Sequence, residues 1–349
     1  MLKLTILLQD PPHNDENDHD SVLGDSNASS TTSISSSILR YRTIQGRSYH
    51  SEQGNAQYWY KLCRTLSVFL CSSLFRLRGS NDEVQNEVMD VNHHTLTLGI
   101  GDKLHLAPLD KEKVQSVVDI GTGTGVWAID FADEYPNASV VGTDISPIQP
   151  SWIPPNLKFE IEDCTREWTF KNNSIDYIHI RWLVGSISDW NALFGQAFRC
   201  CKPGGWVESY ETSSIITSDN NTVKKDSALG QWGKIFIEGG EKIGSSFTIL
   251  EDGIQRKEME KAGFVSIEEF DFKCPVGGWA KDPVLKEMGR FTQFGLERDT
   301  EGLVLFMAHT LGWTKSEIQV YIAHLRREMR SGKHHSYYRQ KVVWGRKPT

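Results

Sequence analysis

The sequence predicts an α/β fold of the Rossmann-like kind, and three observations carry that reading. Residues 115–120 (QSVVDI) are a short apolar run ending in an acid, followed at once by Gly121-Thr122-Gly123-Thr124-Gly125. Val126, Trp127, Ala128, Ile129, Phe131 and Ala132 then give helical apolar spacing. Further short apolar runs recur up to residue 208. Strand, glycine turn and helix open a βαβ unit. Glycine is needed there because the backbone must turn tightly and approach a ligand with no Cβ in the way.

The remaining elements follow in chain order. A second strand at 138–142 runs into Thr143-Asp144, with Asp144 19 residues after Gly125. An acid at the tip of the second strand can accept from both hydroxyls of a ribose. Residues 157–161 predict a third strand, followed by Glu162-Asp163, and residues 174–181 a fourth. Residues 190–198 predict a helix, after which Lys202-Pro203-Gly204-Gly205 turns the chain into a fifth strand. Proline fixes one φ in such a turn and glycine permits a positive one. Helices are expected over 222–243 and 250–262, with Gly263 ending the second. A strand over 264–272 follows, then mostly helical chain over 281–330 interrupted at Gly295 and Gly312. The closing strand, 341–345, is expected to pair with 264–272 at the sheet edge.

Two nucleotide cofactors compete for the glycine pattern. A dinucleotide fingerprint is G-x-G-x-x-G/A, and its third place here is Val126. The spacing present is G-x-G-x-G with Asp119 two residues ahead. It resembles the first motif of class I S-adenosylmethionine-dependent methyltransferases. S-adenosylmethionine has no pyrophosphate for a helix N-terminus to hold. Its sulfonium, ammonium and carboxylate make an acid beside the loop useful.

The resemblance narrows further. GTGTGVWAIDFADEYPNASVVGTDISPIQPSWIPPNLKFEIEDC at 121–164, YIHIRWLVGSISDW at 177–190 and KPGGWVESYE at 202–211 resemble the fungal LaeA-like methyltransferases. So do KDPVLKEMGRFTQFGLE at 281–297, LGW at 311–313 and VVWGRKP at 342–348. GRSYH at 46–50, NHH at 92–94 and KLHLAPL at 103–109 are similar to that family's N-terminal cap. The resemblance covers roughly residues 41–59 and 81–349. It implies a seven-stranded sheet with the last strand antiparallel. A helical cap at 41–112 and a helical insertion at 281–334 would cover its carboxyl edge. It implies S-adenosylmethionine as cofactor, held by Asp119, Gly121, Gly123, Gly125, Asp144, Ile145, Asp163 and Arg181. An acid at the Glu162-Asp163 strand end, taken as Asp163, resembles the family residue that accepts from the adenine amino group, and Arg181 ends the fourth strand either near the methionine moiety or in a structural ion pair. It implies no substrate, because function lives in the site rather than the fold.

Residues 60–79 depart from the pattern. The stretch 65–75 is uncharged for 11 residues, short of the about 20 that cross a bilayer. It reads as a basic amphipathic helix on a membrane surface, as a buried helix, or as foreign to the mature protein. In the family Tyr58-Trp59 runs almost directly into Asn81-Asp82-Glu83, which favours a translated, unspliced intron or gene-model error. Residues 1–40, with SSTTSISSS at 29–37, predict a disordered tail. Its opening is too short for a secretory signal, so a cytoplasmic or nuclear protein is expected.

A general base is not legible. His179 shares a strand face with Tyr177 and Arg181. Tyr49 and His50 lie in the cap on the expected substrate side, and the three are weak catalytic candidates. No metal-ligand spacing appears, since the adjacent His93 and His94 diverge on a helix. The six cysteines form no C-x-x-C pair. Lys plus Arg number 38 against 45 Asp plus Glu, a net charge of -7, which argues against nucleic acid as a partner. The expected activity is methyl transfer to a small molecule of secondary metabolism. The alternative is a cofactor-binding regulator that acts through nuclear protein partners with little turnover. Arg326, Arg327, Arg330 and Lys333 read as a solvated helix face rather than a nuclear signal.

Overall fold

The computed structural model describes residues 82–349, together with the backbone of two short paired strands, β1 (Arg42–Ile44) and β2 (Arg47–Tyr49). The Ser-rich tail, His50 and the 60–79 segment lie outside the described residues, and Tyr49 is described only as backbone at the end of β2.

Seven strands form one sheet: β3 (Ser116–Ile120), β4 (Ser139–Asp144), β5 (Leu157–Ile161), β6 (Ile175–Arg181), β7 (Cys201–Thr212), β8 (Val265–Pro275) and β9 (Tyr337–Arg346). Their spatial order is β5-β4-β3-β6-β7-β9-β8. β3 to β7 pair in parallel, and β9 lies antiparallel between β7 and β8. The expected sheet with its antiparallel last strand is therefore present. The closing strand pairs with β8 at the sheet edge as expected, and is longer than 341–345. The strand order reverses between β3 and β6, and ligands of such sheets bind outside the carboxyl ends at that point.

Helices cover both faces, so the central strands are buried on both sides and read as near-continuous apolar runs. The period of two sorts them. Val117, Val140 and Tyr177 join Trp127 and Phe131 in one core, while Val118, Val141, Ile178 and Ile180 join Phe194 and Leu229 in the other.

Caps decide where the helices begin and break. Described helices are α1 (Glu83–Gly99), α2 (Val126–Glu134), α3 (Trp190–Cys200), α4 (Ala228–Ile243), α5 (Ile254–Ala262), α6 (Pro283–Arg298), α7 (Thr300–Thr310) and α8 (Lys315–Arg330). The helix expected from 222 starts only at Ala228, because the Ser227 side chain accepts from the Gly230 N–H and caps it there. The break expected at Gly295 falls instead at Asp299, which ends α6 and caps α7 by accepting from the Gly302 N–H. Gly312, at φ 90°, does separate α7 from α8. The Lys202–Gly205 turn does not precede β7. It bulges within the strand, whose register jumps from Ile175↔Cys201 to Tyr177↔Trp206.

Two buried acids of β7 anchor loops at the sheet. Glu208 Oε2 accepts from the Leu106 and Ala107 N–H groups at 2.9 and 2.6 Å. Glu211 accepts from Leu183 N through Oε1 at 3.0 Å and from Val184 N through Oε2 at 2.9 Å. Burial pushes the Glu208 carboxyl up to about 7 and Glu211 up to about 8, against the pull of those N–H bonds. A carboxyl whose pKa rises on folding binds protons on folding. Its contribution to stability is full below its unfolded value of about 4.5 and is lost as pH climbs toward 7 or 8.

The two acids are expected to differ on amidation. Glu208 uses one oxygen for both bonds and leaves Oε1 without a partner among the described residues. Glu208→Gln is therefore accommodated, and its melting temperature should fall less than wild type between about pH 5.5 and about pH 8.5. Glu211 uses both oxygens, so Glu211→Gln sets an amide N–H₂ against a backbone N–H. It should lose about 1–3 kcal/mol in urea unfolding.

Candidate functional site

The loop after β3 is tied down on every side. Gly121 N and Thr122 N both donate to Thr143 O at 2.9 Å, which locks the loop to β4. Gly123 N donates to Asp144 Oδ2 at 2.9 Å, and Ser146 N to Asp144 Oδ1 at 3.0 Å. Gln149 Nε2 donates to Gly123 O at 2.6 Å. Gly125 precedes α2 at φ 83°, and a Cβ there would stand 2.3 Å from Phe159 Cζ. Glycine is thus required twice over, by the left-handed backbone and by the aromatic ring of the third strand.

Asp119 lies beneath this loop. It is buried, with Oδ2 accepting from Thr122 Oγ1 at 2.6 Å and Oδ1 at 2.7 Å from His179 Nδ1. Burial pushes the His179 imidazole down to about 4 despite the neighbouring carboxylate. The ring is therefore neutral at pH 7 and donates from Nδ1. It stacks on Trp127 with centroids 3.6 Å apart and planes 8° from parallel.

A cavity of about 310 Å³ opens at the carboxyl ends of β3, β4, β5 and β6. Gly121, Thr122, Gly123, Asp144, Ile145 and Glu162 line one end of it. α1 roofs that end: Thr124 Oγ1 donates to Asp90 at 2.7 Å, and Met89 Sδ lies 3.3 Å from where a Gly123 Cβ would be. Arg181 enters from β6 and directs Nη1 and Nη2 at His93 Nδ1, at 3.2 and 3.1 Å. His93 Nε2 reaches Asp130 Oδ2 at 2.8 Å. Burial lowers the His93 pKa, so a neutral ring accepts from the guanidinium and donates to the carboxylate. His94 instead points outward beside Phe291 and Glu287.

The structure brings Gly121, Gly123, Asp144, Ile145 and Arg181 together around one cavity. Asp119, Gly125, Asp163 and His179 are not among its lining residues. Asp163 Oδ1 accepts from the backbone and hydroxyl of Thr165 at 3.0 and 2.6 Å. Its neighbour Glu162 lines the cavity: Oε1 accepts from Thr169 N at 2.7 Å, and the buried Oε2 has no partner among the described residues. Sequence reasoning passed over Thr122, Gln149 and the His93–Asp130 pair, and of the two acids after the third strand it chose Asp163 over Glu162. Only the NHH run marked His93, and nothing in the order of residues joins it to Arg181, 88 positions away.

Asp144 and Glu162 fit a nucleoside, with one carboxylate against the glycine loop and a second buried oxygen at the next strand end. The Asp144 carboxyl is pushed up to about 6, chiefly by burial. Gly125→Ala is expected to cost about 2 kcal/mol or more in urea unfolding, because strain and steric overlap add.

A methyltransferase-domain family model matches residues 92–269. Methyltransferase pytC of Aspergillus terreus is 35% identical over 97% of this chain and 98% of its own length. The secondary metabolism regulator LAE1 of Cochliobolus heterostrophus is 31% identical over 84% and 94%. The probable methyltransferase tdiE of Emericella nidulans is 32% identical over 76% and 83%.

Proposed function

This chain belongs to the methyltransferase-domain family, and from that premise we propose that it is an S-adenosylmethionine-dependent methyltransferase acting on a small molecule of secondary metabolism. One observation carries the cofactor assignment: the glycine loop, Asp144 and Glu162, whose Oε2 is unpartnered among the described residues, line one cavity at the switch point of the sheet. When bound, S-adenosylmethionine supplies a methyl group on a sulfonium, transferred to an acceptor's lone pair as the carbon–sulfur bond breaks.

The residues divide the work of binding. Asp144 would accept from the ribose hydroxyls while holding Gly123. Glu162 would accept from the adenine amino group, and Ile145 would pack against the ring. Gly121, Thr122 and Gly123 would leave room for the methionine chain, and Arg181 would serve its carboxylate. Asp119 and Gly125 act from beneath, one by fixing Thr122 and the other by starting α2. α1 excludes water above the loop.

Isothermal titration of the full chain should show micromolar S-adenosylmethionine binding. Asp144→Ala should weaken it by about 1.5–3 kcal/mol, the loss expected for charge-assisted hydrogen bonds. Affinity should also fall below about pH 6, where Asp144 protonates and gives up an acceptor. Glu162→Gln should weaken binding more than Asp163→Asn; the reverse order would give Asp163 the adenine contact.

The likeness to LAE1 supports a second reading. In it the chain binds the cofactor but regulates secondary metabolism through protein partners in the nucleus. Incubation with labelled cofactor and fungal metabolite extract separates the two: labelled product favours the enzyme, and a partner retained without product favours the regulator.

A further inference from the structure

The cavity does not end where the cofactor contacts end. It continues between α4, α6 and α7 into a lobe lined by Ile216, Trp232, Phe236, Phe247, Leu303 and Phe306. The charged side chains among all its lining residues are Asp144, Glu162 and Arg181, and each stands at or just past the tip of β4, β5 or β6. The far lobe therefore offers a charged ligand no counter-ion, and burying an unpaired charge is costly. Its aromatic walls suit a flat apolar body.

Two residues of the lining carry unpaired polar atoms. Trp182 and Ser186 line the cavity, and their buried Nε1 and Oγ have no partner among the described residues. An unpaired buried donor costs about 1–3 kcal/mol, which a ligand oxygen would remove. The segment that carries them is built to hold its position. Trp182 sits at φ 56°, a region that non-glycine residues rarely occupy. Its N–H is fixed to Tyr210 O at 3.0 Å, and the next two N–H groups are gripped by Glu211. Strain that the surroundings over-determine in this way clusters at ligand sites.

We propose that the far lobe is the acceptor site, and that it takes a flat, uncharged, largely apolar molecule whose hydroxyl or carbonyl oxygen is oriented by the Trp182 N–H and the Ser186 hydroxyl. This rests on the methyltransferase reading and names its substrate class. No Asp, Glu, His or Lys lines the far lobe to take a proton. The acceptor class is accordingly one whose hydroxyl, phenolic or enolic, gives its proton to water.

The test uses the full chain and three probes, each titrated by fluorescence: 2-naphthol, 2-methylnaphthalene and naphthalene-2-sulfonate. S-adenosylhomocysteine is titrated separately by calorimetry. 2-Naphthol should bind at least about tenfold more tightly than the sulfonate, since the lobe lacks a counter-ion. In the Trp182→Phe, Ser186→Ala double variant its affinity should fall about fivefold to tenfold, with 2-methylnaphthalene binding unchanged. Ser186→Ala alone serves should the double variant fail to fold. Equal or tighter sulfonate binding, or no 2-naphthol binding, overturns the proposal. So does equal loss of both neutral probes in the variant. If S-adenosylhomocysteine binds in those cases, the cofactor reading stands; if it does not bind while 2-naphthol does, the cofactor reading fails and the lobe remains a ligand site.

Discussion

The site depends on one buried carboxylate. Asp119 stands one residue before the end of β3 and spends both oxygens inward, one on Thr122 at the start of the glycine loop and one on His179 of the neighbouring strand. The second bond ties β3 to β6 through their side chains, across the point where strand order reverses. The first sets the entry of the loop, and Thr143, Asp144 and Gln149 complete it. A loop held at so many points presents its backbone to a ligand with little reorganisation, which is where preorganised sites gain their affinity.

β7 plays the same part for two neighbouring segments. Glu208 and Glu211 lie three residues apart on one strand and hold segments on opposite sides of the sheet's carboxyl edge. Each buries a carboxyl that water would otherwise solvate, and each recovers part of that cost from backbone N–H groups that would also be buried. The strained turn at Trp182 persists because of this anchoring. At Glu211 that stability is returned as placement of a cavity wall, since Leu183 and Val184 line it.

The cavity is electrically divided. Its charged residues sit at the strand tips, where a nucleoside and a sulfonium would lie, and its aromatic residues sit under the C-terminal helices. The division follows from the fold. Tips of parallel strands carry loops and polar ends, whereas α4 and α7 pack their apolar residues against each other and α6 packs on β8.

The sequence by itself determined the sheet and the position of its nucleotide loop. The signals were local: apolar runs of period two or 3.6, glycines at fixed spacing, and acids at strand ends. It misplaced boundaries where a single cap decided them, as at Ser227 and Asp299. Only the tertiary structure decided which acid does what. Asp119 and Asp163 lie close in sequence to cavity residues, yet one is spent beneath the loop and the other on Thr165, while Glu162 keeps an open oxygen. Side-chain direction at a strand end turns on one backbone angle and on partners dozens of residues away. The pairing of Arg181 with His93, and of Glu211 with the Trp182 turn, is of that kind. No local pattern encodes such contacts, because they arise only when the sheet brings distant segments to one edge.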